Sequence, residues 1–228
     1  MIDLIQKILR IFEENGLWDD GVELIGSWCF QLYQKHYGVE NYPLRTIDID
    51  FLIPSPFKGK KKIDIAALLE PLGFKPGFNS DGSVYLWGPE LKVEFLTAER
   101  GRGEEKGKEI KNLSIKATPL RFVDMLFKDP VRVKEQGVEV LIPNPICFAI
   151  HKLLISARRK NKDKKSKDLE HAILTLEASE ANQIADYYKG LPDPWKRSIL
   201  RTLGAVKRTM PLHEKYAAEL LIALQSVK

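Results

Sequence analysis

The run Thr46-Ile47-Asp48-Ile49-Asp50-Phe51-Leu52-Ile53 alternates apolar and polar residues with the two-residue period of a half-buried strand. Side chains two apart on a strand share a face, so Ile47, Ile49, Phe51 and Ile53 are expected to point one way and Asp48 and Asp50 the other. Two carboxylates about 4 Å apart repel by roughly 4 kcal/mol at an effective dielectric near 20. Such a pair takes up a proton or holds a cation. Oxygen-only ligands favour a hard cation, Mg²⁺ or Mn²⁺. Taken alone, an Asp-x-Asp pair also fits a solvated strand face.

Upstream, Val22-Glu23-Leu24-Ile25 predicts a short strand, Gly26-Ser27 a tight turn, and Trp28 to Tyr37 a helix with Phe30, Tyr33 and Tyr37 at helical spacing. A strand, a small-residue turn and a helix start gather backbone N–H groups and the positive end of a helix dipole at one place. That place suits a phosphate.

In this order the parts resemble the nucleotidyltransferase superfamily typified by DNA polymerase beta, whose pattern is strand, Gly-Ser, helix, then a strand bearing Asp-x-Asp. The likeness is closer to the small prokaryotic nucleotidyltransferases and the AbiEii-type toxin enzymes, where a basic residue precedes the carboxylates as Arg45-Thr46 does here. The resemblance implies that Gly26, Ser27 and Arg45 bind the nucleotide and that Asp48 and Asp50 are catalytic metal ligands. It also implies a third carboxylate from a neighbouring strand. Glu94 occupies that position within a hairpin of Val84-Tyr85-Leu86-Trp87, a Gly88-Pro89 turn and Leu91 to Leu96. Its implied task is to bind metal, two ions in all, and to help draw the proton from the attacking hydroxyl. An exposed strand glutamate paired with a lysine is the plainer alternative. The toxin-like enzymes also carry Lys, then Arg seven residues later, then a charged stretch ending in Asp-Leu; Lys152, Arg159 and Lys162 to Leu169 resemble that order, with one residue more before Asp168. Lys152 and Arg159 would then meet the triphosphate, the alternative being an ordinary basic helix face carrying Lys152, Ser156 and Arg159.

A competitor shares the hairpin. Asp81 with Glu90-Leu91-Lys92 fits the Asp…Glu-x-Lys pattern of Mg²⁺-dependent nucleases, although Asp81 lies in Asn79-Ser80-Asp81-Gly82, where turn geometry alone favours Asp.

The rest of the chain reads as support. Ile2, Ile5, Ile8, Leu9 and Phe12 stripe an opening helix that stops near Asn15-Gly16. Pro54 to Lys62 is a basic loop, either plainly solvated or a place where triphosphate or acceptor RNA approaches, Ile63 to Leu72 a helix, and Glu99 to Lys111 a charged, glycine-rich mobile loop. Ala117-Thr118-Pro119 is expected to enter a helix through Phe122, Met125 and Leu126, and Val138 to Ile142 to form a strand. Pro143-Asn144-Pro145 marks a domain boundary. Beyond it come helices over Ile146 to Lys160, His171 to Tyr188, Trp195 to Leu203 and Pro211 to Val227.

With 228 residues and 44% hydrophobic content the chain can bury a substantial core, and a net charge of +5 mildly favours polyanionic partners. Cys29 and Cys147 form no Cys-x-x-Cys motif, the four histidines no His-x-x-x-His pair, and no stretch nears the ~20 apolar residues of a membrane span, so a cytoplasmic protein without zinc is expected. The expected architecture is α/β (α+β): a mixed sheet with flanking helices over 1–143, a helical domain over 144–228, and the nucleotide in the cleft between them. The expected activity is transfer of a nucleoside monophosphate from an NTP such as ATP to an acceptor hydroxyl. RNA (tRNA-like), protein and a small molecule stay open as acceptors, and a cognate antitoxin as partner. A nucleotide-binding regulatory protein without catalysis is the alternative from another class.

Overall fold

The computed structural model describes residues 2–43, 46–99 and 106–227. Arg45 and residues 100–105 of the expected mobile loop lie outside the described residues. The chain divides into two compact units, Met1–Leu32 with Pro43–Pro143 and Tyr33–Tyr42 with Asn144–Lys228.

In the first unit, helix α1 (Ile2–Glu14) buries Ile5, Ile8, Leu9 and Phe12. Ile2, expected in the same stripe, is exposed at the helix's frayed start. Strand β1 (Glu23–Ile25) runs directly into helix α2 (Gly26–His36), with no separate turn between them. The bend is made by Gly26 itself, whose φ of +73° lies in the left-handed region that costs glycine little. Strand β2 (Asp48–Ile53) starts two residues later than expected because the Thr46 hydroxyl accepts the Asp48 N–H at 3.1 Å, folding the entry into a turn.

Helix α3 (Ile65–Leu69) starts at Asp64, whose side chain accepts the Ala67 N–H, and passes into a 3₁₀ turn ending at Leu72. Strands β3 (Lys75–Phe78), β4 (Val84–Trp87) and β5 (Lys92–Ala98) follow. No strand was expected over the first, whose Pro76 and Gly77 interrupt any apolar alternation. Strand β6 (Lys108–Ile110) lies within the expected loop. Strand β7 (Ile115–Leu120) replaces the helix expected from Ala117-Thr118-Pro119; Ile115, Ala117 and Pro119 alternate inward, and the helical pattern after it closes into a 3₁₀ segment, Val123–Phe127. Strands β8 (Val131–Glu135) and β9 (Val138–Ile142) form a hairpin about Gln136 and Gly137, both at positive φ.

The sheet is mixed, ordered β1-β2-β5-β4-β3, and β7 pairs with β5 beyond β4. β2 runs parallel to β5, and β1 runs antiparallel to β2. One face of β2 is core: Phe51 meets Phe12 with ring centroids 4.3 Å apart, and Trp18 closes over both. Burial of each such side chain contributes about 1.5–3 kcal/mol. The other face is split. Toward its far end Leu52 joins Ile25, Ala98, Val123 and Leu126 in an apolar cluster. Toward its start the same alternation presents Asp50 and Asp48, both half-buried.

The second unit is helical: α4 (Pro145–Ser156), α5 (Lys162–Glu177), α6 (Ala181–Lys189), α7 (Asp193–Thr209) and α8 (Glu214–Gln225), joined by the end of α2. Asn144 caps α4 by accepting the Ile146 N–H at 2.9 Å, with Pro145 at the first helical position. This helix ends at Ser156, short of the expected Lys160, and is buried almost all round. The expected polar face is therefore corrected: Lys152 and Ser156 point into the unit, and Arg159 follows the helix. The helix expected over His171 to Tyr188 is two helices that break at Ser179 and Glu180.

Candidate active site

The carboxylates are placed by strand register. In the parallel pair β2 and β5, Asp48 lies opposite Lys92 and Asp50 opposite Glu94. Paired residues of neighbouring strands share a face, so these four side chains form a two-by-two patch with about 4.8 Å between strands. Ile25 lies opposite Asp50 on the other edge, which carries the β1–α2 bend to the same spot. There Gly26 packs so closely that a Cβ would collide with Asp50 Oδ2. Gly26 is required twice, for its backbone angle and for this approach. Ser27 is buried in the first turn of α2, whose leading N–H groups have no partners within the helix.

Lys92 sits among the acids. Its ammonium donates to Glu94 Oε1 at 2.5 Å and lies 4.4 Å from the centre of the Tyr85 ring. Burial works to lower its pKa, but the Glu94 hydrogen bond and the nearby Glu94, Asp48 and Tyr85 charges outweigh it, so the ammonium is held above its usual range. The all-oxygen donor set of Asp48, Asp50 and Glu94 fits a hard divalent cation in kind. Among the described residues no three His, Cys, Asp or Glu side chains stand together as a ready metal site. At this patch Glu94 is paired with Lys92.

Lys152 and Arg159 meet within the second unit. Both donate to Asp168, Lys152 Nζ to Oδ1 at 2.6 Å and Arg159 Nε to Oδ2 at 2.8 Å. Lys152 is only 7% exposed, whereas the Arg159 side chain remains 40% exposed. Burial pushes the Asp168 carboxyl up, but its two cations prevail and hold it below the usual range. His151 and His171 lie nearby, each lowered to about 3 by burial and by the Lys152 charge.

The nuclease pattern does not assemble. Asp81 Oδ1 accepts the Ser83 N–H at 2.9 Å and the Ser83 hydroxyl at 2.6 Å, so it closes its own turn, and Lys92 is committed to Glu94. The basic loop after β2 borders an open cavity of about 370 Å³ lined by Ser55, Pro56 and Phe57 together with Lys108 and Lys111.

Residues 4–195 match a family model described as nucleotidyltransferase. The chain belongs to the nucleotidyltransferase family. No curated protein matches the sequence. Among solved structures, the antibiotic-resistance factor ANT(2'')-Ia in solution is similar at 14% identity, covering 93% of this chain and 97% of that one, with a TM-score of 0.48. An antigenic nucleotidyltransferase-like protein from Paracoccidioides brasiliensis is similar at 11% identity, with 96% and 93% covered and a TM-score of 0.49. ANT(2'')-Ia in complex with adenylyl-2''-tobramycin is similar at 14% identity, with 82% and 93% covered and a TM-score of 0.48. No helix of this nucleotidyltransferase is long and apolar enough to cross a membrane, among the described residues.

Two residues of this nucleotidyltransferase escaped sequence reasoning. Lys92 was expected either as a nuclease lysine or as the plain strand partner of Glu94; its place opposite Asp48 and against the Tyr85 ring was not foreseen. Glu23 was read as part of a strand, yet it is 1% exposed, neither carboxylate oxygen has a hydrogen-bond partner among the described residues, and burial pushes its pKa up to about 9. It lies opposite Leu52, beside the apolar cluster. Only the tertiary packing reveals it.

Proposed function

We propose that this nucleotidyltransferase moves a nucleoside monophosphate from an NTP to an acceptor hydroxyl and depends on Mg²⁺ or Mn²⁺ held at Asp48 and Asp50. The observation that carries this reading is the contact of Gly26 with Asp50, which puts a helix start and a carboxylate pair side by side. The N–H groups at Gly26 and Ser27 receive the triphosphate, assisted by Arg45. Asp48 and Asp50 would hold the cation, whose oxygen ligands suit a hard divalent ion. When bound, the cation neutralises charge on the triphosphate and favours the deprotonated acceptor oxygen.

Glu94, beside Asp50, receives the hydroxyl proton. The acceptor oxygen forms its bond to the α-phosphorus as the bond to the β-phosphate oxygen breaks, and pyrophosphate leaves with that electron pair. Lys152 and Arg159 carry two positive charges against the single Asp168 carboxylate, an excess suited to phosphate.

The test is incubation with each labelled NTP, Mg²⁺ and, in separate reactions, total RNA, total protein and small polyhydroxylated molecules. A labelled acceptor is expected, with pyrophosphate released. An Asp48→Asn/Asp50→Asn protein that labels as well as the wild type overturns the reading. Nucleotide binding without divalent metal and without transfer would instead support a regulatory binder.

A further inference from the structure

The patch holds a cation of its own. Lys92 stands opposite Asp48 on the neighbouring strand, bonds Glu94 two residues along its own strand, and is backed by the face of Tyr85, which lies opposite Glu94 on β4. A flexible surface lysine has no such set of fixed neighbours. The face of an aromatic ring attracts a cation, so Tyr85 stabilises the ammonium where it is. Among the four register positions three carry carboxylates, and the fourth carries this ammonium. A divalent ion placed between Asp48 and Glu94 would have to evict it or share its space, and like charges that close repel strongly.

We propose that the Lys92 ammonium takes the place of one divalent cation, so that this nucleotidyltransferase binds a single metal ion at Asp48 and Asp50 and Lys92 limits its affinity. This rests on the metal-dependent reading above and alters its ion count from the two that the family resemblance implied. Lys92 is a positioning residue: it holds Glu94 beside Asp50 and balances the charge that a second ion would otherwise balance.

The probe is Mn²⁺ alone, counted by electron paramagnetic resonance of the free ion and by calorimetry, on the full chain. Wild type should bind one Mn²⁺ at saturation. Lys92→Met, which keeps the aliphatic stem against Tyr85, should bind two, the first about tenfold tighter, as expected from removing one close positive charge. Lys92→Gln is the second variant should Lys92→Met melt early, and Lys92→Arg should behave as wild type. Equal stoichiometry and affinity within twofold in wild type, Lys92→Met and Lys92→Gln would overturn the proposal, as would two ions in the wild type. An Asp48→Asn/Asp50→Asn control separates the two levels. If it loses Mn²⁺ while the Lys92 variants match wild type, the metal site stands and the role of Lys92 falls; if no protein binds Mn²⁺, or the control binds it unchanged, both fall.

Discussion

Two charged clusters in this chain have opposite stoichiometry. In the β2–β5 patch three carboxylates share a face with one lysine, at half-buried positions. In the second unit one buried carboxylate, Asp168, serves two cations. A buried ion pair is worth little net stability, because desolvation offsets the attraction, but removing one partner is expensive. Breaking the Asp168 cluster is therefore expected to cost stability, whatever part its excess positive charge plays toward phosphate. The strand patch places three carboxylates and one lysine at neighbouring register positions, where half-burial keeps the desolvation cost of the charges low.

The largest expected effect tests the first cluster. Asp48→Asn/Asp50→Asn should lower the transfer rate by about a thousandfold or more, on the order of 4 kcal/mol, while the melting temperature changes little. Initial rates and thermal melts on the same samples check both halves. A comparable loss of stability instead would erase the contrast between the clusters.

Asp168→Ala should act in the opposite way, costing about 3–5 kcal/mol of stability in urea unfolding, because Lys152 is left charged in the interior. Arg159, only partly covered, gives the small end of that scale.

The clusters also have opposite pH partners. Glu23, raised to about 9, favours the folded state most below the normal carboxyl range near 4.5, and that contribution is lost as pH climbs toward 9. His151 and His171, lowered to about 3, are the reverse: their contribution is present above 6.5 and is lost as pH falls toward 3. Glu23→Gln should therefore raise the melting temperature at pH 8 more than at pH 5, and His171→Gln should soften the acid limb. A pH-independent shift in the first variant would show that Glu23 is not held neutral.

Gly26→Ala should cost about 1–3 kcal/mol through the left-handed backbone angle and should also depress transfer by displacing Asp50. The smallest effect is Arg159→Gln, about 1 kcal/mol or less in the same unfolding assay, because water already screens a side chain that is 40% exposed. Arg159→Gln as damaging as Asp168→Ala would place Arg159, not Lys152, at the centre of that cluster.

The legible parts of the chain were those in which local pattern and final environment agree. Asp48 and Asp50 share a face because strand alternation compels it, and the hairpin of β4 and β5 follows from apolar runs around Gly88-Pro89. Pattern failed where a residue's usual preference was outvoted. Pro119 suggested a helix entry, yet its strand needs no N–H there and buries its ring. Lys152 suggested a solvated face, yet Asp168 draws it inward.

By itself the sequence determined the strand, the bend, the helix and the facing of two acids, all consequences of spacing along a single segment. Tertiary structure alone decided that Glu94 stands beside Asp50, that Lys92 occupies the gap, and that Gly26 touches the carboxylate. Those relations join residues tens of positions apart, and their distances depend on strand register, which no local periodicity encodes.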